Sequence, residues 1–483
     1  MRRNRDGERK LYNPFGLFSL VFLLFGASLS GQSFKDFKTT QARAFSNYKD
    51  ERDAAFASYL KKQWSEYDAL ISKPLYEEAK PSKINPAIPK SIKSLGPQTR
   101  IVLKTPPEEP LAQLPIEPKI EKKDIYFDFF GTRLGFDVPK SATIAKFYPQ
   151  NQEGVSGFFN VVASSEYQEL VRSIARTKGE MALNDWGAYL LVNALSEKIF
   201  SNPDEAKLLS WFLLNKLGYD VKVGLAKKHV VLMHYSEKII YSTPSYSFGK
   251  RKFYALSQYA KGSVGRLYTY ERSYPNATKA LDLQLKKLPN FEKNLKSKTL
   301  TFKQDGKAYS TTYDYNQNLL DFMATYPQAD YDTFFNAPLE EATYRAIAQD
   351  MKKYIDGKKA SQAMNFVLNF VQNAFAYQVD EEQFGREKVM FAEETLYYDK
   401  SDCEDRAILF SYLIKELFHI GVIGVKYKDH MSTALFVPMD GDSVRDGRKK
   451  YVVADPTYIN ANIGASMPKY KSLRPESFIH VEN

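Results

Sequence analysis

The 483-residue sequence is poor in cysteine, histidine and tryptophan: it has one Cys, five His and three Trp. A single thiol cannot close a disulfide within its own chain, and it cannot build a thiolate zinc site. Five scattered histidines leave no room for a histidine-rich metal centre, so neither a metal nor another cofactor is expected. No apolar run reaches the ~20 residues that cross a bilayer as a helix. Charge of one sign does not dominate either: 68 Lys and Arg against 57 Asp and Glu give +11 and a pI near 9.1. That surplus suits anionic surfaces such as a cell envelope, and nothing in it resembles a nucleic-acid reader. What the chain does have is apolar mass. Hydrophobic residues make up 43% and aromatics 14% of it, enough to exclude wholesale disorder. At roughly 150 residues per domain the length suggests about three units.

The N-terminus places Arg2, Arg3, Arg5, Arg9 and Lys10 before the apolar stretch FGLFSLVFLLFGASLS, which ends in small residues at Ser28 and Ser30. A basic start, a short apolar core and small residues together have the form of a secretory signal peptide over 1–30, with an uncleaved anchor as the alternative. No Cys follows that could take a lipid. Loss of this segment leaves a chain of +8. The expected location is exported, periplasmic or associated with the cell envelope. Most thiols in such a compartment are paired, which makes an unpaired Cys403 either a buried hydrophobe or a reactive group.

Phe34, Phe45, Phe56 and Tyr67 recur every eleven residues, as do Phe37, Tyr48, Tyr59 and Leu70. Eleven residues make three turns of a nearly straight helix, so both series share one face. The spacing predicts one aromatic-striped helix over 31–73. It would dock on its own protein, self-associate as a right-handed coiled coil, or engage an envelope partner through 34–70. Residues 74–118 then hold ten of the 23 prolines among many Lys and Glu. Such a composition stays extended and predicts a linker over 74–122.

Strand and helix patterns resume near residue 123, giving an α+β fold class. TLTFKQDGKAYSTTYDY reads as a hairpin turning at Asp305-Gly306. An internal comparison sets the helix after Asp204 beside the helix after Cys403. Leu209 meets Leu409, Phe212 meets Tyr412, Leu213 meets Leu413 and Leu217 meets Leu417. Each helix leads into β-type runs with a histidine, His229 or His430, and then to a proline in KIIYSTPSY or YVVADPTY. Pro203 stands opposite Cys403, and Thr243 opposite Asp455. The expectation is a duplicated unit, 123–285 and 286–483, whose first copy lacks the nucleophile; chance similarity of two amphipathic units is the alternative.

In the second copy Ser401 and Glu404 have the spacing of a capping box, which puts Cys403 in a helix's first turn. The helix dipole there favours a thiolate, and the free amides can receive an oxyanion. Asp402, Glu404 and Asp405 oppose ionisation, so a cationic partner is needed. His430 and Asp455 follow in order, each at the end of a β-type run, and supply the base and the carboxylate of a nucleophilic triad. Asp440, Asp442 and Asp446 lack the spacing of a calcium loop and suggest a turn. His419 has the place of a helix terminus, while His229, His234 and His480 suggest structural or solvated positions.

The segments DCEDRAILFSYL, DHMSTALF and VVADPTY, with the lead-in FVQNAFAYQVDEEQFGREKVMFAEETLYYDKSD, resemble the transglutaminase-like superfamily of papain-fold cysteine enzymes. The resemblance covers 350–460, weakens over 123–260 and is absent over 31–120. It implies a papain-like fold, with Cys403 as nucleophile, His430 as general base and acid, and Asp455 as orienter. Glu404 stands where the animal transglutaminases have Trp, which leaves the second oxyanion donor open; Gln383, Tyr397 and Tyr398 are candidates. The implied activity is that of an exported cysteine peptidase, amidase or acyltransferase acting on a protein or peptide, with a peptidoglycan stem peptide as one option. A non-enzymatic envelope scaffold on the same fold is the alternative.

Overall fold

The computed structural model describes residues 51–103, 122–256 and 265–482. Residues 1–53 and 54–483 form separate units. The proposed signal peptide and four residues of the aromatic stripe (Phe34, Phe37, Phe45 and Tyr48) lie outside the described residues. Among the described residues no helix is long and apolar enough to cross a membrane.

The helix expected to continue to residue 73 stops at residue 60. We label residues 54–60 α1. Beyond it Trp64 turns back and its indole Nε1–H donates to the Leu60 carbonyl at 2.6 Å. The chain then becomes strands β1 (Ser65–Asp68) and β2 (Leu70–Ile71). Tyr67 and Leu70, the last members of the eleven-residue series, therefore lie on strands. Sheet edges captured them, since β1 pairs with Arg266–Thr269 and β2 with Pro244–Ser245; open strand edges offer a row of unpaired backbone groups. Phe56 keeps the docking role, fully buried among Phe159, Trp211, Tyr270 and Tyr274.

The rest of the fold is mixed α+β. A hairpin, β3 (Ile125–Phe129) and β4 (Thr132–Phe136), precedes helices α2 (Lys140–Thr143), α3 (Gln152–Ala163), α4 (Gln168–Glu180), α5 (Asp185–Ile199) and α6 (Pro203–Lys216). Five strands follow: β5 (Val221–Ala226), β6 (His229–Tyr235), β7 (Pro244–Phe248), β8 (Arg251–Ala255) and β9 (Arg266–Thr269). The hairpin β10 (Leu295–Gln304) and β11 (Lys307–Asn316) turns at Asp305-Gly306, with φ of 50° and 75°, the two left-handed residues that a type I′ turn requires. Next come α7 (Gln317–Met323), α8 (Tyr331–Phe335), α9 (Glu341–Ile355), α10 (Ala360–Asn373), β12 (Ala376–Tyr377), α11 (Asp380–Phe384), α12 (Ala392–Tyr397) and β13 (Lys400–Ser401). The chain closes with α13 (Cys403–Phe418), β14 (Val422–Lys426), β15 (Met431–Leu435), β16 (Ser443–Asp446), β17 (Lys449–Ala454) and β18 (Ser477–His480).

The two sheets repeat one another. Without its added edges β1 and β2, the first runs β9-β5-β6-β8-β7; the second runs β18-β14-β15-β17-β16. Each follows a helix, α6 or α13, and each has its last strand beside its first. Pro203 and Cys403 are both the first residue of their helix, as the internal comparison expects. The pairing of Thr243 with Asp455 does not hold. Asp455 follows β17, whose counterpart is β8, so Leu256 stands opposite it; Thr243 precedes β7. The proline-containing runs misled because similar short β segments lie one strand apart.

The boundary expected at 285/286 does not divide the core. Residues 54–483 are one unit, and a single cluster of buried apolar side chains runs from Phe56 to Ile479. Phe291 and Phe322 pack on Phe130 (ring centroids 5.1 and 5.5 Å), and Tyr326 on Phe391 (4.9 Å). The segment expected to be a free linker is extended but pinned over its described part. Ser361 Oγ donates to the Lys93 carbonyl (2.7 Å), Thr99 N to the Lys358 carbonyl (2.7 Å), and Ala87 N to the Ile459 carbonyl (2.8 Å).

His234, on β6, is structural as expected. Its ring lies 4.7 Å from that of Tyr189 and its Nε2 is buried without a partner. Burial pushes its pKa down to about 3. The folded chain therefore resists a proton that the unfolded chain takes up below pH ~6.5. This contribution is whole above pH 6.5 and fades as pH falls toward 3, at ~1.4 kcal/mol per unit. The acid limb of the unfolding free energy, measured in urea from pH 7 to 4, is expected to flatten in His234→Gln by about 3 kcal/mol at pH 4.

Candidate functional site

Cys403 begins α13, a helix placed by buried polar contacts. Asp402 is the N-cap and Asp405 the residue whose carboxylate returns to it: Asp402 N donates to Asp405 Oδ2 at 3.3 Å. The capping box thus lies one residue beyond the Ser401–Glu404 pair expected from sequence. Ser401 instead accepts from Arg406 Nε at 3.1 Å. Arg406 is fully buried and also donates to the carbonyls of Phe375 (2.8 Å) and Gln372 (3.3 Å), locking the helix start to the end of α10.

His430 directly precedes β15 and Asp455 directly follows β17, adjacent strands of one sheet. His430 Nε2 lies 2.8 Å from Asp455 Oδ2. The other oxygen, Oδ1, accepts from Thr457 N (2.9 Å) and Tyr458 N (3.2 Å). Gln372 secures this loop by donating to the carbonyls of Asp455, Tyr458 and Ala461, all within 3.0 Å. Tyr470 stacks on the imidazole (4.6 Å, 22°), and its hydroxyl donates to Asp429. The imidazole is wholly buried, and its Nδ1 has no hydrogen-bond partner. A carboxylate on Nε2 holds the proton there and leaves the Nδ1 lone pair as the base.

The Cys403 sulfur accepts a hydrogen bond from the amide of Met431, the residue after His430. Helix start and strand start therefore meet, and the three triad candidates come together. The sequence reading expects an exposed, ionised sulfur, and the structure shows neither. The sulfur is fully buried and donates to Glu404 Oε2 at 3.1 Å. Burial pushes the thiol pKa well up, and the Glu404 and Asp402 charges push it further. No hydrogen bond joins it to His430.

The cover is the segment after Pro74. The Tyr76 hydroxyl donates to Glu404 Oε2 at 3.1 Å and lies 3.8 Å from the sulfur. The Lys80 ammonium meets Asp402 Oδ2 (2.6 Å), Glu387 (2.8 Å), Asp380 (3.4 Å) and Glu404. Burial disfavours the Lys80 charge, yet the carboxylates overcome this and hold its pKa well above the ordinary value. Likewise burial would raise Glu404, but Lys80 holds its pKa below the usual carboxylate value. Burial and crowding push Asp380 up to about 6 and Glu387 up to about 8.

The three oxyanion candidates are not in this cluster. Tyr397 and Tyr398 meet edge-to-face (4.9 Å, 72°), with Tyr398 also edge-to-face against Phe384, and the Gln383 side-chain oxygen is buried without a partner. None hydrogen bonds to Cys403. The residues that sequence missed are Tyr76, Lys80, Gln372 and Arg406; the first two are distant in sequence and lay in a stretch whose composition suggested only a linker. Of the three aspartates expected in a turn, Asp440 and Asp442 lie in the loop before β16, with Asp442 accepting from Ser466 N at 3.1 Å, while Asp446 ends β16 and pairs with Lys449. His419 is the C-cap of α13, at φ 54°.

No family model, curated protein or solved structure matches the chain.

Proposed function

We propose that the chain is a cysteine-dependent acyl-transfer enzyme of papain-like, transglutaminase-like type, exported to the cell envelope and acting on an amide of a protein or peptide. The observation that supports this most is the His430 imidazole, tied to Asp455 through Nε2 and carrying an unpartnered Nδ1 at the strand whose first amide meets the sulfur of the only cysteine. In the reaction His430 Nδ1 takes the Cys403 proton, and the sulfur attacks the amide carbonyl. The tetrahedral oxyanion faces the amides of the α13 first turn. Its collapse breaks the C–N bond, His430 gives the proton to the leaving amine, and a thioester remains. Water, or another amine, then gives a proton to His430 and attacks the thioester, and the thiol is restored. The first sheet repeats the strand order with Pro203 in place of the nucleophile, which fits a degenerate first copy.

Burial of the sulfur favours a second reading, a scaffold on the same fold. The two are separated by incubating the full chain with p-nitrophenyl acetate and measuring intact mass. The enzyme reading expects an acetyl adduct that hydroxylamine removes and that Cys403→Ala lacks. A chain that stays unmodified for hours at neutral pH, or an adduct that survives in Cys403→Ala, supports the scaffold.

A further inference from the structure

We propose that residues 75–81 occupy the substrate's place, and that Lys80 marks a subsite for an alkylammonium group carried by the natural substrate beside the reacting amide. This rests on Cys403 being the nucleophile. Tyr76 and Lys80 come from more than 300 residues away in sequence, and both reach the first turn of α13. The Tyr76 hydroxyl stands over the sulfur, where an attacked carbonyl would lie. The Lys80 ammonium, 4.6 Å from the centroid of the Tyr76 ring, fills a cluster of four carboxylates. Oxygens of Asp380, Glu387 and Glu404 lie within 4.8 Å of one another, as do ligand atoms of Asp402, Cys403 and Glu404.

Two further observations show that this cover does not complete the site. Asp402 Oδ1 and His430 Nδ1 are both fully buried and unpartnered, the first at the cation cluster and the second at the triad. A single structural lysine leaves one Asp402 oxygen without a hydrogen bond and the His430 Nδ1 idle. This strap, residues 75–81, is also held by the Tyr377 hydroxyl, which donates to the Pro81 carbonyl at 2.7 Å, by the Tyr76 ring against Tyr331 and Lys426, and by the buried Leu75. Lifting the strap into water would strip the buried carboxylates of their cation, which is costly. Exchanging Lys80 for another primary ammonium leaves the charge balance intact. Strap opening is thereby favoured by arrival of a cationic substrate, which reaches Cys403 faster than a neutral or anionic one.

The test uses the full chain and two methanethiosulfonate reagents of similar size, one carrying an aminoethyl and one a sulfonatoethyl group. Intact mass gives the rate of Cys403 modification. The aminoethyl reagent is expected to react at least about tenfold faster in the wild-type chain. Equal rates, or faster reaction of the sulfonate, overturn the proposal while leaving the nucleophile reading standing. A second measurement takes Lys80→Met. Its melting temperature is expected to rise by about 3 °C with butylammonium chloride in the tens of millimolar range, and not with butanol or sodium chloride. Equal rescue by sodium, or better rescue by calcium, overturns the ammonium assignment. If Lys80→Met does not fold, the wild-type rate ratio decides. Failure of both reagents to modify Cys403 in a folded Lys80→Met chain overturns this proposal and the catalytic reading together.

Discussion

Asp455→Asn is expected to slow acylation of Cys403 by about 10³- to 10⁴-fold while moving the melting temperature by less than about 3 °C. The amide oxygen of Asn can keep the bonds from Thr457 N and Tyr458 N that Asp455 Oδ1 now accepts. Its NH₂ group would then face His430 Nε2, where a carboxylate oxygen now sits 2.8 Å away. Two donors cannot share that position, so the imidazole proton moves to Nδ1. The lone pair that should take the thiol proton is lost although every heavy atom stays in place. The rate of p-nitrophenyl acetate acylation, followed by intact mass, reads this directly. A loss below tenfold would mean that the imidazole does not act through Nδ1.

Arg406→Met is expected to cost about 3–5 kcal/mol of stability, a large share of what holds a domain folded. The guanidinium is fully buried and donates to Ser401 Oγ and to two backbone carbonyls. Its loss leaves those acceptors unsatisfied and removes a positive charge beside a cluster already dominated by carboxylates. Burial lowers its pKa to about 10, with Tyr377, Asp402 and Asp405 opposing that fall, so the group stays charged at neutral pH. Urea unfolding at pH 7 is the measurement, and a change below 1 kcal/mol would show that α13 does not depend on this anchor. Methionine approximates the volume of the side chain, so the effect reports lost polar contacts more than a cavity.

The contrast between what sequence disclosed and what it hid follows the range of the physics. The α13 helix was legible because its apolar face repeats at helical spacing, and the Asp305-Gly306 turn because left-handed backbone restricts residue choice. The order Cys403, His430, Asp455 was legible because each residue sits at an element's end. The strand order common to both sheets was only half visible: helix periodicity aligned α6 with α13, but short β runs carry little register information, and Thr243 was matched one strand away from the true counterpart, Leu256. The helix expected through residue 73 failed at Trp64 because edge pairing with β7 and β9, hundreds of residues on, outweighed a local periodicity. The cover over the site was hidden for the same reason. Tyr76 and Lys80 lie in a proline-rich run whose composition correctly predicts extended backbone, and composition cannot say what that backbone lies against. Sequence also missed the consequence for Cys403, a protonated sulfur beneath a tyrosine in place of an exposed thiolate.

The most direct test of a working triad is a double-mutant cycle on the acylation rate of Cys403, using His430→Gln, Asp455→Asn and the pair. If Asp455 acts only by fixing the imidazole, its substitution changes nothing once the imidazole is gone, and the double variant should match His430→Gln within about threefold. Losses that multiply, with the double variant slower than His430→Gln by the full Asp455→Asn factor, would show two independent residues and contradict the account.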